Sequence, residues 1–151
     1  MDKNLTNLLV ATLGVHVPKS LFVKEDTVLD TTLLEKLNFP LIVKPNTGGS
    51  SIATNKVQDK HETTGAVAKI QGDDALIQEC IEWREFTVGV YKEKDGYKSL
   101  PIMEIVSLKK AFFDYEEKYE SDGSNEVFVE WEHEIQNTLQ KESIRIAEFL
   151  G

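Results

Sequence analysis

The sequence predicts an α+β fold. Three observations carry that expectation: short β-branched runs bracketed by proline or glycine, segments with apolar residues at helical spacing near both ends, and a Lys-Asp-Gly turn between two strand-like stretches. At 151 residues the chain can hold one core, or two small subdomains sharing an interface, but not two large domains.

Taken in order, Leu5, Leu8, Leu9 and Leu13 fall at helical spacing behind a possible Asp2 cap, with Gly14 where such a helix would stop. Leu21 to Val23 reads as a short strand and Thr31 to Leu37 as a helix closing at Asn38. Pro40 to Pro45 is a buried strand in which Lys44 is the polar member. The loop Asn46-Thr47-Gly48-Gly49-Ser50-Ser51 follows, then a strand from Ile52 to Val57 and a helix from about His61 to Ile70. Ala75 to Gln78 is a further strand. Arg84 to Tyr91 alternates with Phe86, Val88 and Val90 on one face, and Lys94-Asp95-Gly96 turns it back into Ser99 to Val106. The stretch from Ala111 to Asn125 is irregular, aromatic and charged. A long helix from about Glu132 to Leu150 takes its register from Ile135, Leu139, Ile146, Phe149 and Leu150, with Glu142 as the polar interruption.

Seventeen basic against 26 acidic side chains give a formal charge of -9, which repels nucleic acid and anionic membrane surfaces. A small phosphate ligand stays open, because local lysines and backbone N–H groups override the global field at short range. Cys80 is the single cysteine, so no intrachain disulfide and no cysteine metal cluster can form. No apolar run approaches membrane-spanning length and the first residues lack a signal-peptide pattern; a cytoplasmic protein is expected. His16, His61 and His133 are scattered, Glu104 sits in a hairpin strand without a motif, and Asp114, Glu116, Glu117 and Glu120 read as a solvated charged loop. No metal ligand is assigned.

Lys44 stands at the end of an apolar strand directly before Gly-Gly-Ser-Ser. Glycines let N–H groups approach an anion, serine hydroxyls add donors and the ammonium supplies charge, so the local chemistry points to phosphate. The short motif alone reads more often as a solvated lysine beside a turn.

Phe39-Pro-Leu-Ile-Val-Lys-Pro-Asn-Thr-Gly-Gly-Ser-Ser51 resembles the phosphate-loop signature of D-alanine:D-alanine ligases. Asp2-Lys3, Gly14-Val15 and Val17-Pro18 resemble that family's linker helix. Glu82 with Arg84-Glu85-Phe86-Thr87-Val88-Gly89-Val90 resembles its adenine-side hinge, and Phe112 to Tyr119 its mobile loop. The resemblance covers essentially the whole chain but only the middle of the family's usual length. It implies an ATP-grasp fold, here incomplete, with residues 1–82 as the small central subdomain and 83–151 as the first part of the large C-terminal one. It also implies ATP and D-alanine as small-molecule substrates, magnesium or manganese in the full-length enzyme, a homodimer, and a product, D-alanyl-D-alanine, that serves peptidoglycan synthesis.

Residue by residue, the resemblance implies Lys3, Lys44 and Lys118 as phosphate-contacting cations, and Gly49, Ser50 and Ser51 as the loop closing on phosphate and substrate. Ser50 and Tyr119 would join the network that positions the substrate amine. Glu79, Cys80 and Ile81 would read the adenine edge through the hinge backbone, and Glu85 would accept the ribose hydroxyls. Four positions depart from the family pattern: Gln78 where glutamate is common, Trp83 and Ala53 where glycine is common, and Phe113 where tyrosine is frequent.

The family's N-terminal domain and its downstream arginine, aspartate, glutamate and asparagine motifs have no counterpart in these residues, so the expectation is a ligase fragment that does not ligate alone. Two other readings stay open: a sister ligase using D-lactate or another amino acid as second substrate, and a non-catalytic nucleotide-binding module.

Overall fold

The computed structural model describes residues 1–81, 84–107, 124–128 and 133–151, which fall into two compact units divided after residue 82. In the first unit, α1 (Lys3–Thr12) starts at an Asp2 cap whose carboxylate accepts the Leu5 N–H at 2.8 Å, and it stops before Gly14 at a φ of 78°. Its buried residue is Val10, while Leu5 and Leu8 remain exposed.

Four strands, β1 (Ser20–Val23), β2 (Leu41–Pro45), β3 (Asn55–Val57) and β4 (Ala75–Glu79), form an antiparallel sheet in the order β1-β4-β2-β3. α2 (Lys60–Ala68), capped by Asp59, packs on β2 and β3. Strand alternation divides the side chains between two faces. Leu41, Val43, Val57, Ala75 and Ile77 join Leu34, Leu37 and Ala66 in one buried core. Ile42, Lys44, Leu76 and Gln78 occupy the opposite face, with Lys44 in register with Leu76 and Ile42 with Gln78. The alternation therefore turns Lys44 away from the core.

Two expectations are corrected here. Thr31–Lys36 is a 3-10 helix rather than an α-helix, started by Asp30, whose carboxylate accepts both the N–H and the hydroxyl of Thr32. Six residues make too short a run to settle into α geometry. The strand expected from Ile52 begins only at Asn55, because Ser51 and Ala53 lie in the left-handed region, with φ of 55° at each. No strand continues through that backbone.

In the second unit, β5 (Glu85–Glu93) and β6 (Gly96–Ser107) form the expected hairpin, longer than the alternation alone marks. β7 (Ser124–Phe128) pairs with β6 and makes a three-stranded sheet in the order β5-β6-β7; its Ser-Asn-Glu opening gave no strand signal. α3 (His133–Leu150) packs against β5 and β6, with Gln140 Nε2 donating to Leu100 O at 3.2 Å. Ile102 of β6 is buried, whereas Ile135, Phe149 and Leu150 stay exposed. No helix among the described residues is long and apolar enough to cross a membrane.

Candidate functional site

β2 delivers the chain into the 46–54 loop, and the loop is held from two sides. On one side stands Lys3, in the first turn of α1. Its Nζ lies 2.9 Å from Pro45 O, 3.2 Å from Asn46 O, 2.6 Å from Thr47 O and 3.4 Å from Gly48 O, so four successive carbonyls converge on one ammonium. The Lys3 N–H also donates to Asn46 O at 3.0 Å, and the Asn4 N–H to Asn46 Oδ1 at 2.9 Å. Asn46 itself is buried, which is why its side chain needs that partner.

Asp73 and Asp74 hold the other side. Asn46 N–H donates to Asp74 O at 2.8 Å, while the Thr47 N–H and hydroxyl donate to Asp73 Oδ2 at 2.8 and 2.6 Å. Partial desolvation pushes the Asp73 carboxyl up, but the two Thr47 bonds and the nearby Lys3 charge outweigh it and hold the carboxyl below its usual range. For Lys3, desolvation is the largest effect and lowers the ammonium below its ordinary value against the opposing pull of Asp73 and Asp2. Asn46 and Asp73 carry no sequence motif for this role; only the folded distance reveals it.

Beyond Thr47 the loop is exposed at Gly48, Gly49 and Ser50. Gly48 has a φ of 72°, Ser50 of 57°, Ser51 of 55° and Ala53 of 55°. Left-handed backbone costs an L-residue roughly 1–2 kcal/mol. The structure thus gives Ala53 a physical meaning: this position favours glycine. Ala53→Gly is expected to raise stability by about 0.5 kcal/mol, because relief of that strain exceeds the extra chain entropy of glycine in the unfolded state. Thermal unfolding checks it; a lower Tm than the parent would contradict the argument.

Lys44 sits half-buried beside this loop on the sheet face away from the core. Gln78 shares that face and is 4% exposed, and its Nε2 is buried without a hydrogen-bond partner among the described residues.

At the far end of β4, the N–H groups of Glu79 and Cys80 donate to Lys19 O and Pro40 O, both at 3.0 Å. Glu79 Oε1 accepts the N–H and Nδ2 of Asn38 at 2.8 Å each. Of the three expected hinge residues, Ile81 is the exposed one, at 59%. In the second unit, Glu85 is an exposed residue at the start of β5, in register with Ile105. Beside it, Arg84 donates from Nε and Nη2 to the two Glu104 oxygens at 2.6 Å each and lies 5.3 Å from the Phe86 ring centroid. Glu104, which carries no motif in the sequence, is held below the usual carboxylate range chiefly by the hydrogen bonds from Arg84.

Lys118 and Tyr119, with Trp83 and Phe113, lie outside the described residues. Among the described residues no group of three or more His, Cys, Asp and Glu side chains could hold a metal ion.

The family model described as "D-ala D-ala ligase C-terminus" matches residues 9–151. D-alanine--D-alanine ligase B of Clostridium perfringens is 30% identical over 99% of the chain and 49% of its own length. Among solved structures, D-alanine--D-alanine ligase from Bacillus anthracis matches at 29% identity and a TM-score of 0.78, covering 99% of this chain and 48% of that one. The VanG D-Ala:D-Ser ligase from Enterococcus faecalis matches at 29% identity and a TM-score of 0.85, covering 100% and 45%. The chain spans about half the length of the relatives it matches.

Proposed function

Because the chain belongs to the D-ala D-ala ligase C-terminus family and has the corresponding part of its ATP-grasp fold, we propose that it is the ATP-binding part of a D-alanine–D-alanine ligase. That enzyme joins two D-alanines at the expense of ATP, through an acyl-phosphate, to form the dipeptide used in peptidoglycan. The observation that carries the proposal is the 46–51 loop, pinned on one flank by Lys3 and on the other by Asp73, with exposed Gly48, Gly49 and Ser50 beside Lys44.

The physical roles follow from the donors available. Lys44 supplies positive charge where the phosphates lie, and Gly49, Ser50 and Ser51 supply short-range donors that replace the water around them. The hinge backbone at Glu79, Cys80 and Ile81 reads the base, the N–H groups of Glu79 and Cys80 being held already by Lys19 O and Pro40 O. Glu85 accepts the ribose hydroxyls. Lys118 contributes a further cation, and Tyr119 with Ser50 positions the attacking amine. Residues 1–82 act as the small subdomain and residues from 83 as part of the large one.

The family's magnesium is a different case. It would neutralise charge on the transferring phosphates in the full-length enzyme, and among the described residues no group of three or more His, Cys, Asp and Glu side chains could hold it. A cytoplasmic setting and a homodimer of the full-length enzyme complete the proposal. The shared name of the curated relatives favours D-alanine over D-serine as second substrate.

Calorimetry of ATP added to the 151-residue chain tests this reading. Saturable binding is expected, with little change when magnesium is chelated, and without formation of D-alanyl-D-alanine. Absence of saturable heat at millimolar ATP would overturn it.

A further inference from the structure

We propose that Gln78 is a specificity-determining residue, whose unpartnered side-chain amide lets the base site take 6-oxopurine as well as 6-aminopurine nucleoside triphosphates. The inference rests on the nucleotide-binding reading above and names the substrate class of that same site.

Strand register places the residue. Gln78 lies in β4 opposite Ser20 of β1 and Ile42 of β2, on the sheet face turned away from the core. Lys44 stands two residues further along β2, opposite Leu76 on that same face. Two residues of strand span about 7 Å. In the nucleotide-binding reading, Lys44 and the 46–51 loop are the phosphate end of this face, and Gln78, directly before Glu79, Cys80 and Ile81, is its base end. A purine joins its sugar at N9, so the edge carrying position 6 is directed away from the phosphates, toward Gln78.

Gln78 is 4% exposed, and its Nε2 is buried without a hydrogen-bond partner among the described residues. Its neighbours on this face, Ile42 and Leu76, are apolar side chains that offer no acceptor. Buried polar groups are nearly always satisfied, and leaving one unpaired is costly. An acceptor that arrives with a ligand explains a donor kept in such a place.

The chemistry of the amide sets which ligands can supply it. A primary amide presents an acceptor oxygen and a donor nitrogen, whereas an ionised carboxylate presents acceptors alone. The 6-amino group of adenine donates, and the 6-oxo group of hypoxanthine or guanine accepts. Gln78 meets the first with Oε1 and the second with Nε2 after half a turn of its amide, and no hydrogen bond at Nε2 resists that turn. A glutamate in this place would meet the amino group and repel the carbonyl oxygen.

The experiment compares ATP with inosine triphosphate, which differs from ATP only in the group at position 6 and the hydrogen at N1. Calorimetry gives both affinities for the 151-residue chain and for Gln78→Glu, at about pH 8, where the carboxylate is ionised. The parent is expected to bind inosine triphosphate within about tenfold of ATP, and Gln78→Glu to widen the gap by about tenfold more through loss of inosine triphosphate binding. In the isotope-labelled parent, NMR is expected to show the Gln78 side-chain amide signals moving with each nucleotide. A parent that prefers ATP by more than about tenfold, or a gap that Gln78→Glu leaves unchanged, would overturn the proposal. Gln78 amide signals that stay in place while the 48–51 amides move would overturn it too. The parent measurements stand if the variant fails to fold. Binding of ATP alone sinks this proposal and leaves the nucleotide reading in place, whereas binding of neither nucleotide sinks both.

Discussion

Lys44→Ala is expected to weaken ATP binding to this chain by about 10- to 100-fold. A charge-assisted hydrogen bond contributes roughly 1.5–3 kcal/mol, and every 1.4 kcal/mol is a factor of ten in affinity. Lys44 has the strongest claim to such a bond because the pleat of β2 turns it away from the core and its neighbour in sequence is the loop. The substitution should leave the fold intact, since Val43 and Ile77 carry the core on the other face. Calorimetry of the two proteins side by side measures the effect, and equal affinities would remove Lys44 from the phosphate site.

Ile77→Ala is expected to lower the stability of the first unit by about 2–5 kcal/mol. Ile77 is fully buried at the centre of β4, between β1 and β2, in register with Leu21 and Val43. Small neighbours such as Ala66 and Ala75 limit how far the cluster can close around the lost volume. Against the roughly 5–15 kcal/mol typical of a whole domain, that is a large fraction. It should loosen the loop as well, because Asp73 and Asp74, which hold Thr47 and Asn46, lie just ahead of β4. Urea unfolding reads the loss; a change below about 1 kcal/mol would contradict the packing described.

How much of this the sequence carries depends on whether the signal is local. The apolar run between Pro40 and Pro45 marks β2 plainly, and Asp2 with Gly14 brackets α1 within a residue or two. The α+β class follows from such punctuation. Ile52 to Val57 misleads because Ile52 and Val57 favour strands by type, yet the left-handed backbone at Ser50, Ser51 and Ala53 belongs to the loop. Thr31 to Leu37 is legible as a helix, but nothing local distinguishes 3-10 from α. β7 opens on polar residues and gains its strand character from pairing with β6.

For the candidate site, Lys44 and the glycine-serine loop stand in one sequence block, so their adjacency is legible without a structure. The contacts that shape the loop are not. Lys3 and Thr47 are 44 residues apart, and Thr47 and Asp73 are 26 apart. A lysine at the start of a helix reads as a solvated charge or, by resemblance, as a phosphate ligand. Only the folded chain brings its ammonium under four carbonyls. Glu104 and Arg84 pair in the same way, through the β5-β6 register across 20 residues.

The face of the first unit bearing Lys44 and the 46–51 loop is the proposed binding surface for ATP. Mapping amide shifts of the whole chain during an ATP titration tests it most directly. Saturable shifts are expected, largest at Lys44 and residues 48–51, with a second group at residues 79–85. Saturable shifts elsewhere with the loop unmoved, or no shifts at millimolar ATP, would contradict it.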